Sequence, residues 1–573
     1  MEDKKIKQSI SSNKSKASLP DIPDMFLIDD LGKRQEFRDS ISSDPVLEFD
    51  KVYFQTHNTF FNDMNLDQLF KKYLKIEELE NPNNHSIQDL FFFLPKRTDI
   101  VKFRQDILSD FIQKQDLSYI IEDAINTLNK DLSMVSFSAS KKGLLLPYSR
   151  LLKNYEDILT GLIKTLNSAK SEGLLQISGF LKQMKDHSYM EIWKEYDRRI
   201  EDEVPFFLSL TRRYDFTPIS FSIFGFEKES AELSEKLKQN TDRFGKISSN
   251  DIKGSRLETF ELALSSRNHH IRIPLVDAIV QIMMQVFGNP FQGLEDHVRY
   301  TIAALNQLNY YRNAAALYFR LTSRGITCVF PKIQDMDYRQ MKAIEVNNFL
   351  IEVEPGKELV SNDVECNDKK RINIITGSNY GGKSWYMKTI GLVQLMGQVG
   401  LFVPAKEAVI SLVDHIYTHF PEKEGAGDIE SRYSWELERA KRIFTYATPY
   451  SLVLFDEPCS GTAYKEGLLQ TVTFIKVSSQ ISMTTFFTTH MHEIAEDIEN
   501  NKDIYTDCEN LFVETEVTDQ GPRYTYNVKQ GRAIYSNAEK LAEAKGCDEI
   551  ALKKLLEGRV LTNSLPQIEK KMC

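Results

Sequence analysis

A glycine-rich stretch after a short apolar run constrains this chain more than any other feature. The run INIIT at 372–376 passes directly into GSNYGGKS, which fits the pattern G-x-x-x-x-G-K-[ST] of a phosphate-binding loop. Its glycines let backbone N–H groups turn inward around phosphate oxygens, and the helix that begins there favours the anion. We therefore predict a nucleotide site formed by Gly377, Ser378, Asn379, Tyr380, Gly381, Gly382, Lys383 and Ser384.

Catalysis at such a loop needs residues from other strands as well. Lys383 would reach the β- and γ-phosphates of ATP, and Ser384 would ligate Mg²⁺. The buried run SLVLF is followed by Asp456, which would hold the Mg²⁺ through water, and by Glu457, which would orient or deprotonate the attacking water. The run TTFFTT ends at His490, which is placed to sense the γ-phosphate; a satisfied histidine at a strand end is the alternative.

The pattern of the sequence changes near residue 346. Beyond it, short apolar runs alternate with helical segments, which predicts a parallel α/β sheet with crossover helices, and NLFVETEVTDQGPRYTYNV predicts a hairpin that turns at DQGP. Before it, apolar residues recur at three- and four-residue spacing, which predicts mainly helices, with Gly325 as a stop. Two interpretations of these helices stay open: a lever or clamp, and a plain helical domain.

Composition limits the class of protein. The 573 residues carry 72 Lys+Arg against 82 Asp+Glu, and the net charge of -10 argues against coating nucleic acid by bulk charge, although a local basic groove is compatible with it. The six cysteines form no C-x-x-C pair, so neither a zinc site nor a dithiol is expected. The N-terminus lacks the apolar core of a signal peptide and no apolar run spans a bilayer, so we expect a soluble, cytoplasmic protein without a membrane partner.

Several separate motifs, in order, resemble the ATPase core of MutS mismatch-repair proteins. TGSNYGGKSWYMK is similar to the family's TGPNMGGKST loop, and GLFVPA to its G-x-[FY]-V-P-A segment. SRYSWEL resembles the S-T-F-M-V-E helix, SLVLFDE resembles S-L-V-L-[IL]-D-E, and the family's T-T-H is present. VKQGRAIYSNAEKLAEAKG is similar to the segment before the dimerisation helices. The resemblance covers roughly residues 346–560.

The resemblance implies an ABC-class ATPase in which two nucleotides are sandwiched between the subunits of a homodimer. Ser431 would be the serine at a helix N-terminus that contacts the γ-phosphate held by the partner, with a simple helix cap as the alternative. Ser460, Gly461 and Thr462 match the end of the family's G-R-G-T at the subunit junction, called the D-loop. Asn379 would be a further nucleotide contact.

Together these observations predict a multidomain chain with a mainly α-helical lever or core domain followed by an α/β ABC-class P-loop ATPase domain. The expected segments are a disordered tail at 1–44, a small mixed region at 45–115, the helical domain at 116–345, and the ATPase domain with a C-terminal dimerisation segment at 346–573.

Three residues depart from the family's pattern near the site. Trp385 replaces a small residue after the loop, Pro458 stands in place of an aliphatic residue, and His419 replaces the arginine of F-T-R. We expect ATP binding to survive these changes, whereas the rate of hydrolysis does not follow from the sequence.

The front half departs more strongly. The family's Phe-x-Glu motif, whose phenylalanine wedges beside a mispaired base, does not occur before residue 300. The span before the ATPase core is also shorter than the full set of mismatch, connector, lever and clamp domains requires. It resembles instead the start of the lever region in shorter MutS-like proteins, with Arg97, Arg104 and Gln105 in their pattern.

Two functions are therefore compatible with the sequence. The first is a MutS-like, ATP-driven dimeric clamp on duplex, mismatched or branched DNA, which contacts phosphates without reading sequence and serves mismatch repair or related DNA maintenance. The second is an ABC-type switch that acts on a non-DNA partner, such as a ribosome or protein complex. The acidic net charge and the missing wedge motif favour the second function somewhat. Measuring DNA binding over a range of salt concentrations discriminates between the two functions.

Overall fold

The computed structural model divides into two compact units. The first comprises Met1–Pro23, Asp116–Lys170 and Leu174–Asn306, and the second comprises Asp24–Gln115, Ser171–Gly173 and Gln307–Cys573. The residues that the structure describes are 19–26, 60–75, 89–92, 94–141, 145–201, 207–213, 218–224, 257–263, 291, 293–351, 359–378, 381–421, 432–518, 521–532 and 545–556.

Within these residues the secondary structure is as follows. The α-helices are α1 (Asp89–Phe92), α2 (Thr98–Gln113), α3 (Gln115–Lys141), α4 (Leu145–Leu166), α5 (Glu172–Lys185), α6 (Ser188–Glu201), α7 (Leu294–Asn306), α8 (Leu308–Thr322), α9 (Lys383–Gln398), α10 (Arg432–Tyr446), α11 (Tyr464–Ile481), α12 (His492–Asn500) and α13 (Glu549–Leu556). A π-helix spans Gln68–Leu74 and a 3-10 helix spans Met336–Tyr338. The strands are β1 (Phe207–Arg213), β2 (Pro218–Phe224), β3 (Leu257–Ala263), β4 (Lys332–Gln334), β5 (Met341–Val346), β6 (Asn362–Cys366), β7 (Ile372–Thr376), β8 (Glu407–Ser411), β9 (Ile416–His419), β10 (Leu452–Asp456), β11 (Thr484–Thr489), β12 (Cys508–Thr518) and β13 (Gly521–Gln530).

The first unit contains long amphipathic helices. In α4 five of the six side chains at three- and four-residue spacing are buried, as the apolar pattern predicted: Leu151, Tyr155, Leu159, Leu162 and Leu166. The sixth, Ile158, is half-buried. The Tyr155 hydroxyl lies 2.9 Å from His297 Nδ1 and 2.7 Å from Thr301 Oγ1, which gives these buried polar groups partners on α7. Trp193 of α6 packs edge-on against His297 with the ring centroids 5.3 Å apart.

The prediction of mainly helical structure at 116–345 was incomplete in this unit. Strands β1, β2 and β3 form an antiparallel three-stranded sheet in the order β2-β1-β3. Residues in LSLT and SFSI alternate polar and apolar side chains, which is the two-residue period of a strand. The apolar run IRIPLVDAIVQIMMQVF, predicted as helix, lies outside the described residues.

The second unit is built on a six-stranded sheet in the order β13-β12-β7-β11-β10-β9. Strands β12, β7, β11, β10 and β9 are parallel, as the alternation of apolar runs and helices predicted, and β13 returns antiparallel to β12 as the predicted hairpin. A four-stranded sheet in the order β4-β8-β5-β6 belongs to the same unit.

Helices cover both faces of the central strands. Strands β7 and β10 are buried at every position, and α10, α11 and α12 contribute Ile443, Phe474 and Ile494 to the apolar core on one face. On the other face α9 packs so closely on β10 that a Cβ at Gly391 would lie 3.1 Å from Leu454 Cδ1. Because these strands are buried on both faces, they appear in the sequence as continuous apolar runs.

Part of the predicted disordered tail is ordered in the structure. Of residues 1–44, the described part is 19–26, where Met25 and Phe26 are buried. The Met25 N–H donates to Gln307 Oε1 at 3.1 Å, and the Met25 carbonyl accepts the Tyr311 hydroxyl at 2.6 Å. The two apolar side chains after the proline-rich start explain this packing, because burying them offsets the cost of ordering the segment.

The division into units also differs from the predicted boundary at 345/346. Residues from Gln307 onward belong to the same unit as the six-stranded sheet. The reason is packing: Tyr318 of α8 meets Phe402 edge-on at 5.2 Å, and Gln105 Nε2 of α2 donates to the Pro331 carbonyl at 3.2 Å. Helical periodicity marks a helix but does not say which core the helix joins.

Buried Arg104 shows how the region before residue 115 is tied to the sheet. Its Nε donates to the Phe26 carbonyl at 2.7 Å and its Nη1 faces the Val399 carbonyl at 3.5 Å. Gly400, at φ +90°, follows α9 and has no room for a side chain, because a Cβ would lie 2.5 Å from Arg104 Cβ. Arg97, by contrast, forms an exposed ion pair with Asp99. In the part of the chain that the structure describes, no helix is long and apolar enough to cross a membrane.

We expect acid to destabilise the first unit through His297. Burial, with a smaller contribution from His187, lowers the pKa of His297 from 6.5 to about 3. The unfolded chain therefore binds one more proton between these values, so the stability that neutral His297 provides is lost as pH falls from 6.5 towards 3. By linkage the loss at about pH 4.5 is about 2–3 kcal/mol.

Urea unfolding of the wild type and His297→Gln at pH 7 and about pH 4.5 measures this effect. The glutamine variant should lose less free energy of unfolding on acidification than the wild type. His490→Gln, in the second unit, is the control and should keep the wild-type pH dependence for the first unit. An unchanged pH dependence in His297→Gln would contradict the assignment.

Candidate functional site

The phosphate-binding loop leaves β7 and enters α9 through two glycines with positive φ. Gly377 has φ +146° and Gly382 has φ +99°, which are conformations that side chains disfavour. A Cβ at Gly382 would lie 3.0 Å from Tyr526 Cδ1, and one at Gly377 would lie 3.3 Å from the Val513 carbonyl oxygen. The β12–β13 hairpin therefore packs closely against the loop, and this close packing together with the positive φ values favours glycine at both positions.

Lys383 lies buried at the start of α9, with 5% of its surface exposed. Its Nζ donates to the Gly377 carbonyl at 3.1 Å and to the Ser378 carbonyl at 3.2 Å. The same ammonium lies 3.3 Å from Glu457 Oε1. The loop thus holds a buried positive charge, and the carboxylate of Glu457, which directly follows β10, compensates that charge.

Asp456 ends β10 as a buried carboxylate with oxygen-bearing neighbours. The Thr488 hydroxyl of β11 donates to Asp456 Oδ1 at 2.5 Å, and the Ser384 side chain lies near the same carboxylate. Burial raises the pKa of Asp456, and the two hydroxyls and Lys383 oppose that shift. A carboxylate and a serine hydroxyl side by side are the hard oxygen ligands that Mg²⁺ prefers, so this donor set fits the ion.

Glu457 follows Asp456 in a strained backbone conformation. Its φ is +45°, in the left-handed region that costs a residue with a side chain on the order of 1 kcal/mol or more. The Glu457 N–H donates to the Thr488 carbonyl at 3.2 Å and to the Thr488 hydroxyl at 3.0 Å, which holds the strained turn in place. Thr488 is a site residue that sequence reasoning missed; its position two residues before the T-T-H histidine was the available signal.

His490 completes the group at the ends of the strands. Its Nδ1 lies 3.9 Å from Glu457 Oε2, its side chain is 42% exposed, and the Tyr464 ring lies 6.4 Å away. His492, two residues later, is half-buried, and burial lowers its pKa. The structure thus brings Lys383, Glu457 and His490 together, from three different segments of the sheet edge.

Glu436 of α10 connects that helix to the D-loop, and sequence reasoning did not single it out. Its carboxylate is buried and accepts hydrogen bonds from Arg432 Nε at 3.2 Å, Ser460 Oγ at 3.3 Å and the Gly461 N–H at 3.1 Å. A Cβ at Gly461 would lie 3.1 Å from the Tyr433 nitrogen, so the loop passes close to the helix. Glu436 is the last residue of the stretch matched to S-T-F-M-V-E, which was the available signal.

Three predicted site residues lie outside the described residues: Asn379, Tyr380 and Ser431. Their roles stay predictions. Helix α10 begins at Arg432, the residue after Ser431. Thr462, the last predicted D-loop residue, donates its hydroxyl to Glu466 Oε2 at 2.7 Å in the first turn of α11.

Two of the departures from the family's pattern are accommodated at the site. Trp385 is 37% exposed, and Lys388 Nζ lies over its ring at 5.1 Å from the centroid. The Pro458 carbonyl accepts the Thr471 hydroxyl at 3.3 Å, which ties the turn after β10 to α11.

Tyr526 presents an aromatic ring beside the loop, and no motif in the sequence indicated it. It adopts φ +61°, and 48% of its surface is exposed next to Gly382. Asn362 fixes this part of β13, because its Nδ2 donates to the Tyr526 carbonyl at 3.0 Å and its Oδ1 accepts the Val528 N–H at 2.7 Å. The ring is thereby held at the entrance to the loop.

The family model MutS domain V matches residues 373–555. The chain is similar to the DNA mismatch repair protein MutS of Thermosipho melanesiensis, with 30% identity over 216 residues, which are 38% of this chain and 26% of that protein. It is also similar to that of Fervidobacterium nodosum, with 27% identity over 300 residues, 52% of this chain and 35% of that protein. For the Bacillus subtilis protein the identity is 32% over 212 residues, 36% of this chain and 24% of the relative. The matched part thus spans about a quarter to a third of these relatives.

We expect Thr488→Val to destabilise the second unit by about 1–3 kcal/mol, the cost of leaving a buried polar group unsatisfied. The valine retains the volume but removes the hydroxyl that donates to Asp456 and accepts from the Glu457 N–H. Urea unfolding measures the change. Thr473→Val, which removes an exposed hydroxyl bonded within α11, is the matched control and should differ from the wild type by less than about 0.5 kcal/mol. Equal effects of the two substitutions would refute the assigned contacts.

Proposed function

We propose that this chain, whose residues 373–555 match MutS domain V, is a MutS-type protein that binds and hydrolyses ATP with Mg²⁺ and acts as a dimeric clamp on DNA. The observation that carries the ATPase part is the convergence of Lys383, Asp456, Glu457 and His490 at the carboxyl ends of β7, β10 and β11. In open α/β sheets, ligands bind at this edge.

When bound, ATP would supply the scissile phosphate bond and Mg²⁺ would neutralise its negative charge. Asp456 and Ser384 would hold the ion, the carboxylate through water and the serine directly. Lys383, which pairs with Glu457 at 3.3 Å, would turn its ammonium to the β- and γ-phosphates.

Glu457 would gain a catalytic role from that movement. Released from Lys383, its carboxylate is free to orient a water molecule and take its proton. His490, 3.9 Å from the other Glu457 oxygen, would sense the γ-phosphate through its exposed ring. Tyr526 offers its ring for stacking with the base of the nucleotide at the entrance to the loop.

A second subunit would complete the site. Ser431 would contact the γ-phosphate that the partner holds, and Glu436 would keep the start of α10 against the D-loop residues Ser460 and Gly461. ATP binding would close this sandwich and move the helices of the first unit as levers.

DNA is the partner that the relatives favour, since those matched are named DNA mismatch repair proteins. Contact would be made by lysine and arginine with phosphates, without sequence readout. Action on a non-DNA partner, such as a ribosome or protein complex, is the alternative that the DNA experiment tests.

We expect Glu457→Gln to abolish ATP turnover while retaining nucleotide binding. Loss of a general base lowers the rate by about 100-fold or more, whereas the phosphate contacts of the loop remain. Phosphate release and titration with a fluorescent ATP analogue measure the two quantities separately. Glu438→Gln, on the exposed side of α10, is the control and should turn over ATP like the wild type. Unchanged turnover in Glu457→Gln would refute its catalytic role.

For DNA, we expect the purified protein to bind homoduplex, mismatched and branched duplexes with an affinity that falls steeply with salt. ATP should increase the lifetime of the complex on DNA with blocked ends, because a closed clamp cannot slide off. Fluorescence anisotropy across salt, with and without ATP, measures both. Absence of binding at low salt would reject the clamp and leave the non-DNA partner.

A further inference from the structure

A short N-terminal segment, residues 60–66, lies between the two helices that carry the halves of the proposed site. On one side it contacts α9, which begins at Lys383: Met64 packs on Gly391, where a Cβ would lie 2.6 Å from Met64 Cε. On the other side it reaches α10 through an ion pair between Asp63 and Arg439. The two partners are 376 residues apart in sequence.

Arg439 uses its planar group to join three parts of the chain. One nitrogen, Nη2, donates to Asp63 Oδ2 and to the Thr418 carbonyl, the latter at 2.9 Å. The other, Nη1, donates to the Phe420 carbonyl at 3.0 Å. The side chain is buried, and it lies 5.1 Å from the Trp435 ring centroid. Arg439 therefore joins α10 both to the carboxyl end of β9 and to Asp63.

His419 adds a second bond between β9 and α10 at the same place. Its Nε2 lies 2.9 Å from the Glu436 carbonyl oxygen. Burial, and then the charge of Arg439, lower the pKa of His419 to about 4, so the ring is neutral at physiological pH. Glu436 and Arg439 are three residues apart and share one helix face, so the Arg439 contacts and the D-loop contacts act on the same turn of α10.

Arg439 is the main opposite charge near the Asp63 carboxylate. Its side chain is 10% exposed, and burial raises its pKa against the opposing charges of Arg439 and Lys388. Lys388 belongs to α9 and lies over the Trp385 ring, directly after the phosphate-binding loop. Removing one member of a buried pair leaves the other charge uncompensated, which disrupts the geometry around it.

The segment continues into the helices that precede the sheet. After residue 66 the chain forms the π-helix Gln68–Leu74, and the Leu74 carbonyl accepts Asn313 Nδ2 of α8 at 2.8 Å. Phe70 of the π-helix packs on Phe91 with ring centroids 4.7 Å apart. The chain on the C-terminal side of Asp63 is thus anchored. Asp63 can therefore fix the position of Arg439 instead of moving with it.

We propose that Asp63 is a positioning residue for the ATPase site: through Arg439 it holds α10, and with it Glu436 and the D-loop, in register with α9 and Lys383. The inference rests on the proposed ATPase function. Asp63 touches no reacting group, so its removal affects the arrangement of the composite site and not the phosphate contacts of Lys383.

Asp63→Asn in the full-length chain tests this. The amide keeps the volume but removes the charge. The expected result is a fall in kcat of about 10- to 100-fold, the scale of a misplaced catalytic group, with KM and the dissociation constant of a fluorescent ATP analogue unchanged. Asp63→Glu restores the charge and should recover most of the turnover. Asp67→Asn, which changes an exposed carboxylate just after this segment, is the matched control and should behave like the wild type.

Arg439→Lys is the second variant, and it decides the matter if Asp63→Asn does not fold. A lysine keeps the charge but cannot reach two carbonyls and a carboxylate in one plane, so we expect the same selective fall in kcat. Arg442→Lys, at an exposed position of α10, is its control. If the wild type hydrolyses ATP and folded Asp63→Asn has a kcat within about twofold of the wild-type value, the inference is overturned. It is also overturned if Asp63→Asn loses nucleotide binding as strongly as it loses kcat. Absence of turnover in the wild type rejects the proposed function instead.

Discussion

Burial of strands β7 and β10 on both faces determines where polar chemistry can occur in the second unit. Every position of these strands is buried, so no polar side chain along them can reach solvent. Because neighbouring strands are parallel, their carboxyl ends lie at one edge, and the chain must turn there within a few residues. Two of these turns use positive φ, at Gly377 where a side chain would be crowded by Val513 and at Glu457 where Thr488 holds the backbone.

The buried charges around the site, Lys383, Glu436 and Arg439, each have a defined partner. Lys383 is compensated by two carbonyls and Glu457, Glu436 by Arg432 and a backbone N–H, and Arg439 by Asp63. Such pairs add little net stability compared with apolar packing, but removing one partner is costly. Their effect is therefore to fix geometry, and the contacts of Lys383 with Glu457, of Glu436 with Gly461 and of Arg439 with Asp63 each join two segments that are distant in sequence.

How much of this could be predicted depends on the range of the interaction. The loop, the strands around it and the carboxylates Asp456 and Glu457 follow from local patterns, because an apolar run, two glycines and an acidic end are contiguous in the sequence. Thr488 and Tyr526 lie on strands that local patterns predict, but their contacts depend on strand order and register, which no single segment encodes. Ordered residues 19–26 and strands β1 to β3 were missed because short apolar or alternating pieces carry a weak signal.

The departures from the family's motif can be understood together. Trp385 follows the loop and carries Lys388 over its ring; Lys388 also lies 5.7 Å from the ring of Phe420, the residue after His419. His419 is neutral in the field of Arg439, which in turn requires a carboxylate from outside the sheet. An arginine at position 419 would place a second buried cation beside Arg439, with Asp63 as the nearby carboxylate, and such a cation is costly without a partner of its own. A neutral residue at position 419 is therefore compatible with the buried Arg439 of α10. Asp63, which residues 60–66 hold in place, stabilises this arrangement by balancing the charge of Arg439.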